Sequence, residues 1–350
     1  MRGKPSADIK RYRWVIAILA ILLLTVFLAS FFVGRFQQIS LIDILKILIN
    51  QVRPVFAPTW NRFAENVVIQ LRLPRMIASV LVGAALSSAG TAYQALFSNP
   101  MASPDTLGVS SGAGLGAATA ILLGAGSVAI QINAFTFGCI SVIGAFLVAM
   151  LISRGKNATV FLVLTGMVIS AFLSGLLSIL KYVADPMDEL PTITYWLMGS
   201  FASTNINDVL VLGGAFVIGF VPLFLIRWRM NLLTLPDSEA RALGENTALL
   251  RVITIICSTM LTAAFISVAG GVSWVGLIVP HIARLLVGDD FKKVLPTAAL
   301  FGGIYLLIMD DLSRGLIATG IPIGILTSIV GAPLFFVILI RNRRAIVSDD

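Results

Sequence analysis

LLTLPDSEARALGENTALLR, residues 232–251, is the one strongly polar island in an otherwise apolar chain, with hydrophobic runs on both sides. Pro236 and Asp237 supply a helix start, because a capping carboxylate satisfies backbone N–H groups that lack a partner within the helix and complements its dipole. Ser238 to Leu243 make about two turns, and Gly244 offers the left-handed exit that commonly ends a helix. Arg227, Arg229, Arg241 and Arg251 surround the segment, which puts it on the cytoplasmic side of a membrane protein. A short capped helix held at a membrane face by two spans is a handle for a soluble partner; a merely solvated loop is the alternative.

The flanks of this island decide the class. Of 350 residues, 58% are hydrophobic and 12% charged, with a mean hydropathy of +0.97. A soluble domain of this length carries about twice that charge fraction. Successive apolar runs near 20 residues can cross a bilayer, where a helix satisfies its own backbone groups. The chain therefore reads as an all-α polytopic membrane protein with about ten spans, near 14–33, 76–97, 106–124, 130–152, 160–183, 208–226, 250–269, 273–287, 294–312 and 322–340. No loop is long enough for a soluble domain, so residues 1–350 form a single transmembrane domain with a tail at 1–13 and the polar segment at 232–251. The basic tail leads into a run longer than a signal-peptide core without a convincing cleavage signal, and is expected to be a retained first span.

The net charge of +8 and pI near 9.9 do not mark a nucleic-acid binder, because the basic residues lie between apolar runs instead of forming a patch. With an even number of spans, both termini share one side. The tail, Arg154 and Lys156, the arginines around 232–251, Arg284, Lys292 and Lys293, and Arg341, Arg343 and Arg344 place seventeen of the 25 Lys and Arg residues on that side. Both ends are therefore expected to be cytoplasmic. The outer side then holds residues 34–75, with a short interfacial helix at LIDILKILI. It also holds residues 184–207, where YWLMGSF is suited to a half-inserted helix with Tyr195 and Trp196 at the interface.

Cys139 and Cys257 lie inside apolar runs, so neither a disulfide framework nor a cysteine metal site is indicated. A lone His281 rules out a multi-histidine metal cluster within one chain and reads as a satisfied histidine at a helix end. No cofactor is expected. No G-x-x-x-x-G-K-[ST] loop is present, so the chain should not hydrolyse ATP itself. GAGLGA fits a loose dinucleotide pattern without its alternating strand–helix context, an accidental match. Gly108, Gly112 and Gly116 form one face on which a neighbouring helix can approach closely. SNPMASPD at 98–105 breaks the chain between two spans with two prolines. Such backbone at membrane depth is tolerated beside a water-filled cavity or within protein, which makes it a constriction of a pathway or an ordinary tight turn.

On the opposite face, Arg72 and Arg75 flank Leu73 and Pro74, and MDDLSRGL places Asp310, Asp311 and Arg314 within about one turn. Lys293 to Arg314 covers roughly 30 Å, so Arg314 should emerge on the outer side. The bland reading is a local Asp–Arg pair that snorkels to the interface. The sharper one is that three outward guanidiniums receive carboxylates of an external protein through bidentate bonds. Asp310 and Asp311 could instead be proton or sodium sites of an ion-coupled secondary transporter, a reading their interfacial position beside Arg314 weakens. A membrane-bound enzyme lacks any nucleophile–base or metal constellation.

Together these motifs resemble the iron-chelate and vitamin B12 importer permeases, the membrane subunits of type II ABC importers. The resemblance is carried by RLPR at 72–75, GAAL-x-x-x-G at 83–90, QALFSNPMASPDTLGVSSGAG at 94–114 and AR-x-LG at 240–244. GLIVPHIAR at 276–284, D-x-x-x-R at 310–314 and IPIGILTSIVGAPLF at 321–335 complete it. Met101 stands where that family more often has leucine. The resemblance implies ten spans and a second permease subunit, identical or a sister chain, with the substrate path at their interface. It also implies two cytoplasmic ATP-binding subunits and an extracytoplasmic substrate-binding protein, in the cytoplasmic membrane of a prokaryote. It matches Arg72, Arg75 and Arg314 to arginines that receive glutamates of the binding protein. Ala240, Arg241, Leu243 and Gly244 match the segment seated in the ATPase, and Asn99, Met101 and, less securely, Thr159 match the cytoplasmic constriction. A ferric siderophore is the implied cargo, with haem, cobalamin or an oxyanion as alternatives within the family.

Overall fold

The computed structural model describes residues 5–34, 39–58, 60–153, 158–317 and 319–347, and they are helical with no strand among them. α1 (Pro5–Ser30) is followed by the short α2 (Leu41–Val52) and α3 (Arg62–Asn66). α3 runs through a π-helical turn at Val67–Arg72 into α4 (Leu73–Leu96), giving 35 continuous residues. The wide turn has a local cause. Pro74 has no N–H to offer the preceding turn, and the Leu73 N–H reaches back instead to the Val68 carbonyl, five residues away. The sequence reading began this helix at 76; it begins at Arg62, and its length of about 52 Å exceeds a bilayer core, so its first turns project beyond it.

After a 3₁₀ turn at Pro104–Leu107 come α5 (Val109–Leu122), α6 (Ser127–Ser153), α7 (Ala158–Val183), α8 (Glu189–Met198) and α9 (Ile206–Ile226). A second 3₁₀ turn, Arg229–Thr234, leads to α10 (Asp237–Ala242), α11 (Thr247–Ala269), α12 (Val275–Val287), α13 (Phe291–Leu316) and α14 (Ile323–Val347). Seven of the described helices are long and apolar enough to span a membrane. Three of the expected spans are shorter: α5 and α12 have 14 and 13 residues, and the apolar part of α14 covers Ile323–Ile338. At about 1.5 Å per residue, α5 and α12 reach only about 20 Å, short of a bilayer core.

α4 lies at the centre, buried along nearly its whole length among α9, α11, α12 and α13. Its composition explains the position. Alanines and glycines let neighbours close in, and Ser87, Ser88 and Thr91 return their hydroxyls to carbonyls one turn back, which removes the cost of carrying them inside. A methyl at Gly83 would overlap the Gly302 carbonyl of α13, and one at Gly90 would overlap the Gly276 carbonyl of α12. Of the glycine face expected on the third span, Gly112 and Gly116 abut Phe137 and Asn133 of α6, whereas Gly108 stands before the helix at φ 77°. α6 and α7 turn large apolar side chains such as Ile140, Leu147, Leu164 and Phe172 outward, as lipid-facing helices do.

The two short helices expected within residues 34–75 and 184–207 are present. α2 buries Ile44 and Ile47 against Phe31 and Met76 while Ile42 and Leu45 stay exposed, and Ser40 caps it by accepting from the Asp43 N–H. YWLMGSF ends α8, whose Ile193 packs on Ala118 and Ile121 of α5.

Candidate functional site

Three groups of residues singled out in the sequence fall at defined places on this frame. The first is the arginine cluster. Arg72 and Arg75 lie about 36 and 32 Å along the helix from Leu96, and Arg314 about 35 Å along α13 from Phe291, so all three come level near one end of the bundle. Their guanidiniums are engaged within the subunit. Asp310, fully buried, accepts from Arg75 Nε at 2.8 and 3.1 Å and pairs with its Nη2 at 2.8 Å. The same carboxylate pairs with Arg314 Nε at 3.1 Å. Asp311 takes a second Arg314 nitrogen and the Ser30 hydroxyl. Arg72, only 5% exposed, donates to the Phe31 carbonyl, and Arg314 reaches the Val33 and Ser30 carbonyls at 3.3 and 3.4 Å. The cluster thus ties α1, α4 and α13 together. A carboxylate inside an apolar helix requires a cation from a neighbour, and that was the available clue to the Arg75–Asp310 pair.

The second group is the polar segment. α10 starts one residue earlier than a capping Asp237 would have it: Asp237 is its first residue and Pro236, which carries no capping side chain, holds the capping position, while Gly244 leaves it at φ 82°, as expected. Ala240 is fully buried; Arg241 is exposed and Leu243 is 67% exposed. Glu245 pairs with Arg229 at 3.5 Å. The preceding 3₁₀ turn is anchored by Met230 and Leu233 in the core. Asn231 locks that turn to the start of α13: its Nδ2 donates to Asp290 at 2.9 Å and its Oδ1 accepts from the Phe291 N–H at 3.0 Å. Arg227 lies over the Phe224 ring at 3.8 Å.

The third group is the broken loop after α4. Ser98 is in the left-handed region at φ 47°, unusual for a residue with a side chain. Its hydroxyl donates to the Leu233 carbonyl at 3.1 Å. Asn99 accepts from the Met101 N–H at 2.8 Å, which folds the turn and leaves Met101 47% exposed. His281 of α12 bonds the Pro100 carbonyl at 2.9 Å through Nε2, so it is satisfied, and by this loop. Gln94 donates to the Leu277 carbonyl at 3.2 Å, fixing α12 to the last turns of α4. Beyond the loop a cavity of about 270 Å³ opens between α4, α11 and α12, lined by Ser103, Asp105, Ser110, Thr262 and Trp274 among others. The side chain of Thr159, the second part of the expected constriction, lies outside the described residues, as do Arg154 and Lys156. Sequence reading passed over Ser98 and Asn231. A hydroxyl before Asn-Pro at a helix exit is the only signal of the former.

No group of three or more His, Cys, Asp or Glu among the described residues is placed to hold a metal ion.

Comparison with known proteins agrees with this geometry. The profile of the FecCD transport family matches residues 16–341. The molybdate import system permease protein MolB of Haemophilus influenzae is 36% identical over 330 residues, covering 93% of this chain and 95% of its own. A probable iron chelatin transport system permease protein of Helicobacter pylori is 40% identical over 292 residues, 81% and 87% of the two chains. A solved structure described as an inward-facing metal-chelate type ABC transporter superposes with a TM-score of 0.83 at 34% identity, over 94% of this chain and 99% of that one. The chain belongs to the FecCD transport family and has the fold of that family's ABC importer permeases.

Proposed function

We propose that this chain is the permease subunit of an ATP-driven importer that carries an iron chelate, a ferric siderophore, across the cytoplasmic membrane of a prokaryote. It works with a second permease, identical or a sister chain, two cytoplasmic ATP-binding subunits that perform the hydrolysis, and an extracytoplasmic binding protein. The observation that carries the reading is α10: a short helix between two spans that exposes Arg241 and Leu243 around a buried Ala240. An exposed leucine beside an arginine on a rigidly rooted turn is what a partner's cleft would grip.

Ala240, Arg241, Leu243 and Gly244 form that handle, with both termini on its side of the membrane. Asn99, Met101 and Thr159 form the inner constriction. Arg72, Arg75 and Arg314 form the outer rim that receives the binding protein. The two carboxylates an ion-coupled transporter would need, Asp310 and Asp311, are already taken by Arg75, Arg314 and Ser30, which speaks against that class. ATP closes the partner subunits, and each ligand shifts the permease between packings only by its differential affinity for them.

An oxyanion is the second cargo, favoured by the length over which MolB aligns. The test is to isolate the extracytoplasmic protein that co-purifies with this subunit and titrate it with ferric siderophore, haem, cobalamin and molybdate by fluorescence quenching. Quenching by the siderophore alone is expected. Uptake into vesicles that survives ATP depletion would reject the importer.

A further inference from the structure

We propose that Ser98 is the positioning residue that links the α10 handle to the constriction loop, through the hydrogen bond from its hydroxyl to the Leu233 carbonyl. The proposal rests on the importer reading and adds to it the route by which force reaches the pathway.

The start of the loop at 98–105 is held by two attachments two residues apart. On the handle side Ser98 holds Leu233. On the bundle side His281 of α12 holds the Pro100 carbonyl. Leu233 is buried, and its turn is locked to α13 through Asn231, so little slack separates it from α10, which begins four residues on. A displacement of α10 that carries this turn and the start of α13 with it therefore moves the Leu233 carbonyl. The loop is pulled at Ser98 and held at Pro100, so the peptides between them must rotate. Asn99 is on that short lever, and its side chain, which accepts from the Met101 N–H just beyond it, carries Met101 along.

Two features argue that the Ser98 bond serves position more than stability. Ser98 is exposed, so water could satisfy its hydroxyl without any protein partner. Its backbone is nonetheless held at φ 47°, a conformation that costs any residue with a Cβ and persists where the surroundings impose it. In that conformation the hydroxyl meets the Leu233 carbonyl.

The test uses the chain assembled with its ATP-binding subunits in nanodiscs, on a background with Cys139→Ala and Cys257→Ala. Met101→Cys then reports the loop through its rate of reaction with a maleimide, with and without a slowly hydrolysed ATP analogue. With Ser98 intact, the analogue should change that rate about two- to tenfold, the range expected of coupling through one hydrogen bond. Ser98→Ala and Ser98→Gly should both abolish the response while nucleotide binding and subunit assembly persist. Glycine removes the backbone cost as well as the hydroxyl, so its failure would isolate the bond. Ser98→Asn, which tolerates positive φ and carries a donor, should restore the response. An undiminished response in the alanine and glycine variants overturns the proposal, and so does an asparagine variant as silent as glycine. A parent protein that retains no ATP-binding subunit would instead sink the importer reading, so the two failures are separable.

Discussion

The two ends of α13 are built in opposite ways. At its last turn, Asp310, Asp311 and Arg314 close with Arg72 and Arg75 into a charge cluster that is almost entirely out of solvent. At its first residues, Asp290 and Phe291 hold Asn231, and the segment that follows Asn231 leaves the bundle as the exposed α10. One end is a clasp whose charges are spent inside the subunit; the other is a rigid root for a helix that touches little. Charge in a membrane protein therefore does not by itself mark the surface that partners use. The residues expected to bind are the buried ones, and any docking carboxylate at Arg75 or Arg314 must share or displace Asp310.

The contrast can be broken at either end. The largest effect is expected from Asp310→Ala, which leaves the mostly buried Arg75 without its carboxylate and Arg314 with Asp311 alone, and should cost about 3–5 kcal/mol. Thermal unfolding in detergent reads this directly, and an unchanged midpoint would mean that the clasp contributes nothing. At the handle, Leu243→Asp should lower ATP-driven uptake about tenfold or more and strip the ATP-binding subunits on purification. Its effect on stability should stay within about 0.5 kcal/mol, because the side chain is already in solvent. A Leu243→Asp protein that unfolds early but keeps its partners would reverse the assignment of the two ends.

Arg75→Lys sharpens the comparison further, since it keeps the charge but loses the fork that grips Asp310. Binding-protein affinity, measured by surface plasmon resonance, should weaken about tenfold. Full affinity would leave Arg75 a purely internal residue. Smallest is Met101→Ala, which should raise basal ATP turnover about twofold by loosening the constriction; an unaltered rate would make Met101 structural.

Much of the frame was legible in the sequence because the bilayer imposes a length and a composition that leave few choices. The runs around 14–33, 130–152 and 208–226 became α1, α6 and α9, and Gly244 ends α10 where only a residue without Cβ sits easily. What escaped depended on distant partners. Nothing local says that Arg75 will meet Asp310, 235 residues away. Nor does Pro74, which lies outside the span read at 76–97, announce that a π turn will carry the helix through it to Arg62. Ser98 is invisible for the same reason: its meaning lies in a carbonyl 135 residues later.

The glycine contacts of α4 have one more consequence. Where Gly83 meets Gly302 and Gly90 meets Gly276, the helices touch backbone to backbone, with no rotamers to rearrange between them. Such a seam cannot slide by degrees, because each carbonyl would have to climb over its neighbour. α4, α12 and α13 should therefore tilt about these two contacts instead of sliding along them, which leaves their ends beside the 98–105 loop free to shift. Spin labels on α4 and α13 beside Gly83 and Gly302 would then keep a constant separation in every nucleotide state.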